Sequence, residues 1–231
     1  MPHRMLASGL LARSSSMSTS LPDRRFAVLL PVKPPSVAKS RLVDLGDHVR
    51  RDLVVAFAAD TATAALESSM VGAVLAVTDD FALAARLREL GADVIPDGAV
   101  DDLNESLVQA AAEAERRWPK LYVAALCADV PALHSDELTM ALAAAPPDRG
   151  CFVTDAEGVG TTMLAAPSRA LFTPRFGPDS RQAHLDAGAL ELDDIEVPTL
   201  RRDVDTPADL VAAVQLGVGA RTATALAGLR L

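Results

Sequence analysis

The 231-residue chain contains three lysines, and two of them, Lys33 and Lys39, share one short stretch with Arg41: Lys33-Pro-Pro-Ser-Val-Ala-Lys39-Ser-Arg41. The stretch follows directly on the apolar run Phe26–Val32. An acidic protein that concentrates its scarce cations in one connection is suited to holding an anion there. Phosphate is the leading choice, because lysine point charges and a forked guanidinium neutralise phosphoryl oxygens well. A solvated loop whose charges merely keep it in water is the competing reading.

Two further clusters carry carboxylates. Asp129 follows the apolar run Leu121–Leu126 and precedes Pro131. In open α/β sheets ligands bind beyond the carboxyl ends of the strands, where Asp129 is placed as a hard oxygen ligand for Mg²⁺. It would equally serve as a cap for the segment that starts near His134. In Asp203-Val-Asp205 the alternation of an extended backbone puts both carboxylates on one face. They repel unless a cation or a shared proton lies between them. Thr206-Pro207 then opens a helix, so Asp205 could instead be its N-cap, with Asp209 in the first turn.

The segment Pro174-Arg-Phe-Gly-Pro-Asp-Ser180 is too constrained for an idle connection: Pro178 restricts Gly177, and Ser180 can present its N–H at a helix start. Gly158-Val-Gly160-Thr161 supplies a second backbone-lined turn with a hydroxyl. The histidines at 3, 48, 134 and 184 share no metal spacing and read as surface or packing residues. Cys127 and Cys151 form neither a disulfide framework nor a metal knuckle, and read as reduced, buried thiols. Neither the dinucleotide fingerprint nor the P-loop motif occurs.

Apolar runs alternate with amphipathic segments from Phe26 onward, which predicts an α/β fold. Strands are expected at Phe26–Val32, Val71–Thr78, Asp93–Pro96, Leu121–Leu126, Cys151–Thr154, Thr161–Ala166 and Glu196–Arg202. Helices are expected over His48–Leu66, up to Leu90, from an Asn104 N-cap to near Trp118, from Ser135 to before Pro146, after Ser180, and from Pro207. Residues 25–219 form one domain. Residues 220–231 read as a tail, and residues 1–24 as a disordered tail or a mis-assigned start, with Met17 an alternative.

Half the residues are apolar and 3 % are aromatic, so alanine, valine and leucine must build the core. A net charge of −9 argues against nucleic acid and anionic membranes as partners. No run reaches the roughly 20 apolar residues of a membrane span, and a cytoplasmic protein is expected.

Taken in order, these segments resemble a known family. Val32-Lys33, Ala38-Lys-Ser-Arg-Leu42, Leu103-Asn104, Ala128-Asp-Val-Pro-Ala-Leu133, Gly160-Thr161, Arg175-Phe-Gly-Pro-Asp-Ser180 and Asp203-Val-Asp-Thr-Pro-Ala-Asp-Leu210 look like the guanylyltransferases that build the phospho-carboxylate half of coenzyme F-420. The resemblance spans roughly Phe26 to Gly219. It implies a Rossmann-like, GT-A-like nucleotidyltransferase with a mixed, mostly parallel sheet flanked by helices. It also implies transfer of GMP from GTP to phosphoenolpyruvate or 2-phospho-L-lactate, with release of pyrophosphate. On the family pattern Asp129, Asp203 and Asp205 hold Mg²⁺, and Thr161, Gly177 and Ser180 hold the carboxylate end of the phospho-acid. Lys33, Lys39 and Arg41 wrap the GTP phosphates as catalytic and nucleotide-binding residues, and Leu103 and Asn104 lie near the base. Ala128 and Ser40 stand where the family commonly has glycine and threonine, changes that bear on nucleotide affinity rather than reaction class. The resemblance leaves room for a homodimer and for handover of product to the next pathway enzyme.

Phosphoenolpyruvate is the expected acceptor, because an arginine- and alanine-rich composition suits a high-GC bacterial source and such members resemble phosphoenolpyruvate users. The competing readings are 2-phospho-L-lactate as acceptor, another nucleotidyltransferase such as a molybdopterin guanylyltransferase, and a non-catalytic nucleotide-binding module. The glycine-rich first loop of the other transferases is replaced here by Pro31-Val-Lys-Pro-Pro35.

Overall fold

The computed structural model describes residues 24–32, 47–99 and 102–227. The expected anion loop with Lys33, Lys39, Ser40 and Arg41 lies outside the described residues, as do residues 1–23 and 228–231.

Among the described residues, seven strands form one sheet: β1 (Phe26–Pro31), β2 (Val71–Val77), β3 (Asp93–Ile95), β4 (Tyr122–Leu126), β5 (Cys151–Thr154), β6 (Thr161–Ala166) and β7 (Leu190–Glu191). Their order is β3-β2-β1-β4-β6-β5-β7, and β6 alone runs antiparallel to its neighbours. The helices are α1 (Asp47–Glu67), α2 (Phe81–Leu90), α3 (Leu103–Arg117), α4 (Ser135–Ala144), α5 (Ser180–Asp186), α6 (Pro198–Arg201), α7 (Pro207–Leu216) and α8 (Ala220–Leu226).

β1 shows why its sequence is a continuous apolar run. Phe26, Val28 and Leu30 pack in the core on the side of α1, α2 and α4, while Ala27 and Leu29 pack on the side of α3. A strand covered on both faces has no polar side to alternate with. A third cluster joins Leu53 and Phe57 of α1 to Val204, Leu210 and Ala213, with Leu226 of α8 packed against it. The segment from Ala220, expected as part of a tail, thus lies along α1. Asp60 of α1 accepts the Thr222 N–H at 2.8 Å, meeting one of the bare amides of the α8 start.

Two local expectations are corrected. Glu196–Arg202 is not a strand: it contains α6, because Pro198 suits a first helical turn and Glu137 of α4 accepts the N–H groups of Thr199 (2.8 Å) and Leu200 (3.1 Å). Asn104 is not the cap of α3; Asp102 is, accepting the N–H groups of Asn104 and Glu105 at 3.0 Å. Asn104 is thereby placed in the first turn, with its side chain available for another task. Among the described residues no helix is long and apolar enough to cross a membrane.

Candidate active site at the carboxyl edge of the sheet

The chain moves outward from β1 through β2 to β3, then returns to place β4 on the other side of β1. Such a reversal opens a crevice at the carboxyl ends of the two central strands, the usual ligand position in open α/β sheets. Asp129 stands three residues beyond the end of β4. Its position is braced from several directions. The Ala128 carbonyl accepts from Thr61 Oγ1 of α1 at 3.3 Å, the Asp129 carbonyl accepts from the Val204 N–H at 3.0 Å, and the Pro131 carbonyl accepts from the Gly219 N–H at 2.9 Å.

The Val204 contact brings the second carboxylate segment to the first. Val204 is fully buried against Leu53 and Phe57, so alternation turns Asp203 and Asp205 to the opposite side. One carboxylate oxygen each from Asp129, Asp203 and Asp205 lies within 4.8 Å of the others. Asp129 and Asp203 are half-buried and Asp205 is exposed. The capping alternative for Asp205 is removed: Thr206 is the N-cap of α7, with Asp209 completing a capping box by accepting the Thr206 N–H at 2.8 Å. Asp129 does not cap α4 either, whose N-cap position is His134. Three convergent carboxylates offer hard oxygen donors, a set that fits a hard divalent cation.

Thr161 reaches the same edge because β6 is reversed. An antiparallel strand begins where its parallel neighbours end, and β6 begins beside Cys127, whose N–H donates to the Thr162 carbonyl at 2.8 Å. Gly158-Val-Gly160 turns from β5 into β6 with Gly158 at φ 75°, and the Asp155 carboxylate accepts the N–H groups of Val159 (2.9 Å) and Gly160 (2.7 Å). Cys127 is half-buried and Cys151 buried, with no disulfide between them; burial pushes the Cys151 thiol up to about 12.

Gly177 and Ser180 come from the loop that enters α5. Gly177 has φ 135° and Asp179 φ 52°, backbone states that a glycine takes freely and an aspartate tolerates. Ser180 is buried at the first position of α5. Arg181, next in line, donates to both oxygens of Glu191 on β7 at 2.8 to 3.1 Å, and Thr154 hydrogen-bonds the same carboxylate. That pairing, with Arg181 the chief cause, holds the Glu191 carboxyl below the usual range.

Two roles escaped sequence reasoning, one for Asn104 and one for His184. Asn104 grips the loop at Phe176 through both ends of its amide: Nδ2 donates to the Phe176 carbonyl at 2.9 Å and Oδ1 accepts the Phe176 N–H at 2.8 Å. His184 is packed in the interior, as a packing residue would be. It also contacts Thr161 Oγ1 at 3.0 Å through Nδ1 and accepts the Arg175 N–H at 3.0 Å through Nε2. Its four-residue spacing from Ser180, one helical turn on the same face, was the available signal. The Asn104 grip has no local signature, since its partner lies 72 residues away.

The chain is similar to known proteins over most of its length. The family described as "Guanylyl transferase CofC like" matches residues 26–231. A phosphoenolpyruvate guanylyltransferase of Thermomonospora curvata is 48 % identical over 198 residues, covering 86 % of this chain and 87 % of that protein. Another, from Streptomyces scabiei, is 47 % identical over 210 residues, covering 89 % and 97 %. Among solved structures, a nucleotide-diphospho-sugar transferase homologue from Desulfovibrio desulfuricans superposes with a TM-score of 0.61 at 20 % identity, covering 81 % of this chain and 85 % of that one. That likeness identifies the fold as the nucleotidyltransferase type expected from the sequence. With the carboxylates, the Thr161 turn and the 174–180 loop gathered at one sheet edge, the chain belongs to the CofC-like guanylyl transferase family.

Proposed function

We propose that this protein transfers GMP from GTP to phosphoenolpyruvate and releases pyrophosphate, an early step in building coenzyme F-420. The observation that carries the reading is the convergence of Asp129, Asp203 and Asp205 within 4.8 Å in a chain nearly half identical to phosphoenolpyruvate guanylyltransferases. The acceptor's phosphate oxygen attacks the α-phosphorus of GTP in line, and pyrophosphate leaves on the opposite side. A phosphate nucleophile is already ionised at neutral pH, so the reaction asks for no general base. Both reactants are polyanions, and neutralisation with positioning makes up most of the catalysis.

Asp129, Asp203 and Asp205 would hold Mg²⁺, which when bound neutralises and aligns phosphoryl oxygens. Lys33, Lys39 and Arg41 would wrap the GTP phosphates. Leu103 and Asn104 would border the nucleotide, Asn104 while keeping Phe176 in place. Thr161, Gly177 and Ser180 would receive the carboxylate end of the phospho-acid, using one hydroxyl and the backbone of a preset loop. Residues 25–219 would serve as the nucleotidyltransferase domain in the cytoplasm.

The test is pyrophosphate release from GTP and Mg²⁺ with either phosphoenolpyruvate or 2-phospho-L-lactate. Release with phosphoenolpyruvate alone is the expected result. Release with 2-phospho-L-lactate alone would change the acceptor, and GTP binding without release in either mixture would overturn the reaction.

A further inference from the structure

His184 is fully buried, with the Phe152 ring tilted beside it at 5.5 Å and the Phe176 ring edge-on at 5.2 Å. Its hydrogen bonds determine where the ring proton sits. The Arg175 backbone N–H can only donate, so Nε2, 3.0 Å away, must carry the lone pair. The proton of the neutral imidazole is therefore on Nδ1. Burial, the main cause, lowers the ring's pKa to about 4, so this neutral form holds at physiological pH.

The consequence falls on Thr161. Its Oγ1 lies 3.0 Å from Nδ1, and a protonated Nδ1 cannot accept. The Nδ1 proton has both the Ser180 backbone carbonyl and Thr161 Oγ1 as acceptors, and in either case the Thr161 hydroxyl cannot donate to the ring and its own proton must point elsewhere. The same ring grips the Arg175 amide, and Asn104 grips Phe176, so the orientation of the hydroxyl is coupled to the placement of the loop that carries Gly177.

We propose that His184 is a positioning residue of the acceptor subsite: its fixed tautomer turns the Thr161 hydroxyl into a donor aimed at the carboxylate of the incoming phospho-acid, and its other nitrogen keeps the Arg175–Gly177 backbone in register with that hydroxyl. This rests on the reading that Thr161 contacts the acceptor. A hydroxyl with a free choice of orientation would present a lone pair to the carboxylate part of the time. The histidine removes that choice before the acceptor arrives.

Steady-state pyrophosphate release with GTP and phosphoenolpyruvate tests it in four variants. His184→Gln keeps an acceptor near the Nε2 position but loses the Nδ1 donor. It should raise the KM for phosphoenolpyruvate about tenfold, the worth of one hydrogen bond, and leave the KM for GTP within about twofold. His184→Asn, which can restore a donor near Nδ1, should recover much of that loss. Thr161→Val should raise the same KM, and adding His184→Gln to it should raise it no further, because the hydroxyl to be oriented is gone.

Thr161→Val with an unchanged acceptor KM would overturn the placement of Thr161 and the proposal with it. A raised KM in Thr161→Val but not in His184→Gln would overturn the proposal alone, as would fully additive effects or an equal rise in the KM for GTP. Nitrogen-15 NMR of the wild-type imidazole gives a readout that requires no variant to fold. A protonated Nδ1 with a bare Nε2 supports the proposal, and the opposite tautomer ends it.

Discussion

On the proposed metal side of the site, the Asp129 carbonyl and the Asp205 N–H are hydrogen-bonded, and the side chains of Asp129, Asp203 and Asp205 remain half-buried or exposed. On the proposed acceptor side, Thr161, Ser180 and His184 are almost wholly buried, and the loop beside them is held by Asn104. The contrast follows from what each side would bind. Like charges brought together resist burial, since desolvation and mutual repulsion both act against them, and they are best kept near solvent until a cation arrives. Neutral donors suffer no such penalty. Burial helps them instead, because a dry surrounding fixes hydroxyl and imidazole protons that water would let rotate. One side is organised by charge and the other by hydrogen-bond direction, and substitutions should divide along that line.

The largest effect is expected on the charged side. Asp205→Asn keeps the shape but removes a ligand charge, and turnover should fall by roughly 100-fold or more while the melting temperature barely moves. Chelation should abolish turnover and added Mg²⁺ restore it. A nearly normal rate in Asp205→Asn, measured as pyrophosphate release, would take that residue out of the metal site.

The neutral side should reveal itself in the pH dependence of stability. His184 titrates near 6.5 when unfolded and about 4 in the folded protein. Between those values the unfolded chain binds a proton that the native state does not, so stability falls as pH drops from 6.5 toward 4. The loss totals roughly 3 kcal/mol, and below the lower value the contribution stays constant. Denaturant titrations at a series of pH values should show this slope in the wild type and a shallower one in His184→Gln.

Smaller effects follow at the supports. Asn104→Ala releases the Phe176 backbone from two hydrogen bonds, which should cost about 1 to 2 kcal/mol in denaturant unfolding and weaken phosphoenolpyruvate more than GTP in the steady state. The smallest belongs to Thr206→Ala. It removes the α7 cap next to Asp205, with about 1 kcal/mol lost in thermal unfolding and turnover reduced only a few-fold. Were Asn104→Ala to cost GTP and phosphoenolpyruvate alike, the division between the two sides would blur.

Much of this organisation was readable along the chain. Of the seven strands among the described residues, five lie where apolar runs bounded by turn residues put them, and a sixth, the short β3, falls inside its expected span. Asp203-Val-Asp205 could be read as one-faced because strand alternation is local. Short-range chemistry misled where a distant group decided. Glu196–Arg202 is apolar enough for a strand, but the Glu137 carboxylate on α4 stabilises a helical turn there. Asn104 has a capping side chain, but Asp102 two residues earlier takes the role and leaves Asn104 for Phe176.

The amino-acid sequence by itself determined the α/β alternation, the one-faced Asp203-Val-Asp205 pair and the constrained 174–180 loop, because each depends on neighbours within a few residues. Only the tertiary structure decided that β6 runs backward and so brings Thr161 beside Cys127, that Val204 joins Asp203 and Asp205 to Asp129, and that His184 directs a hydroxyl 23 residues away. Those outcomes depend on strand order, on a buried side chain's choice of face, and on the proton position in a buried ring. Each is set by groups far apart in the chain that meet only when the core closes.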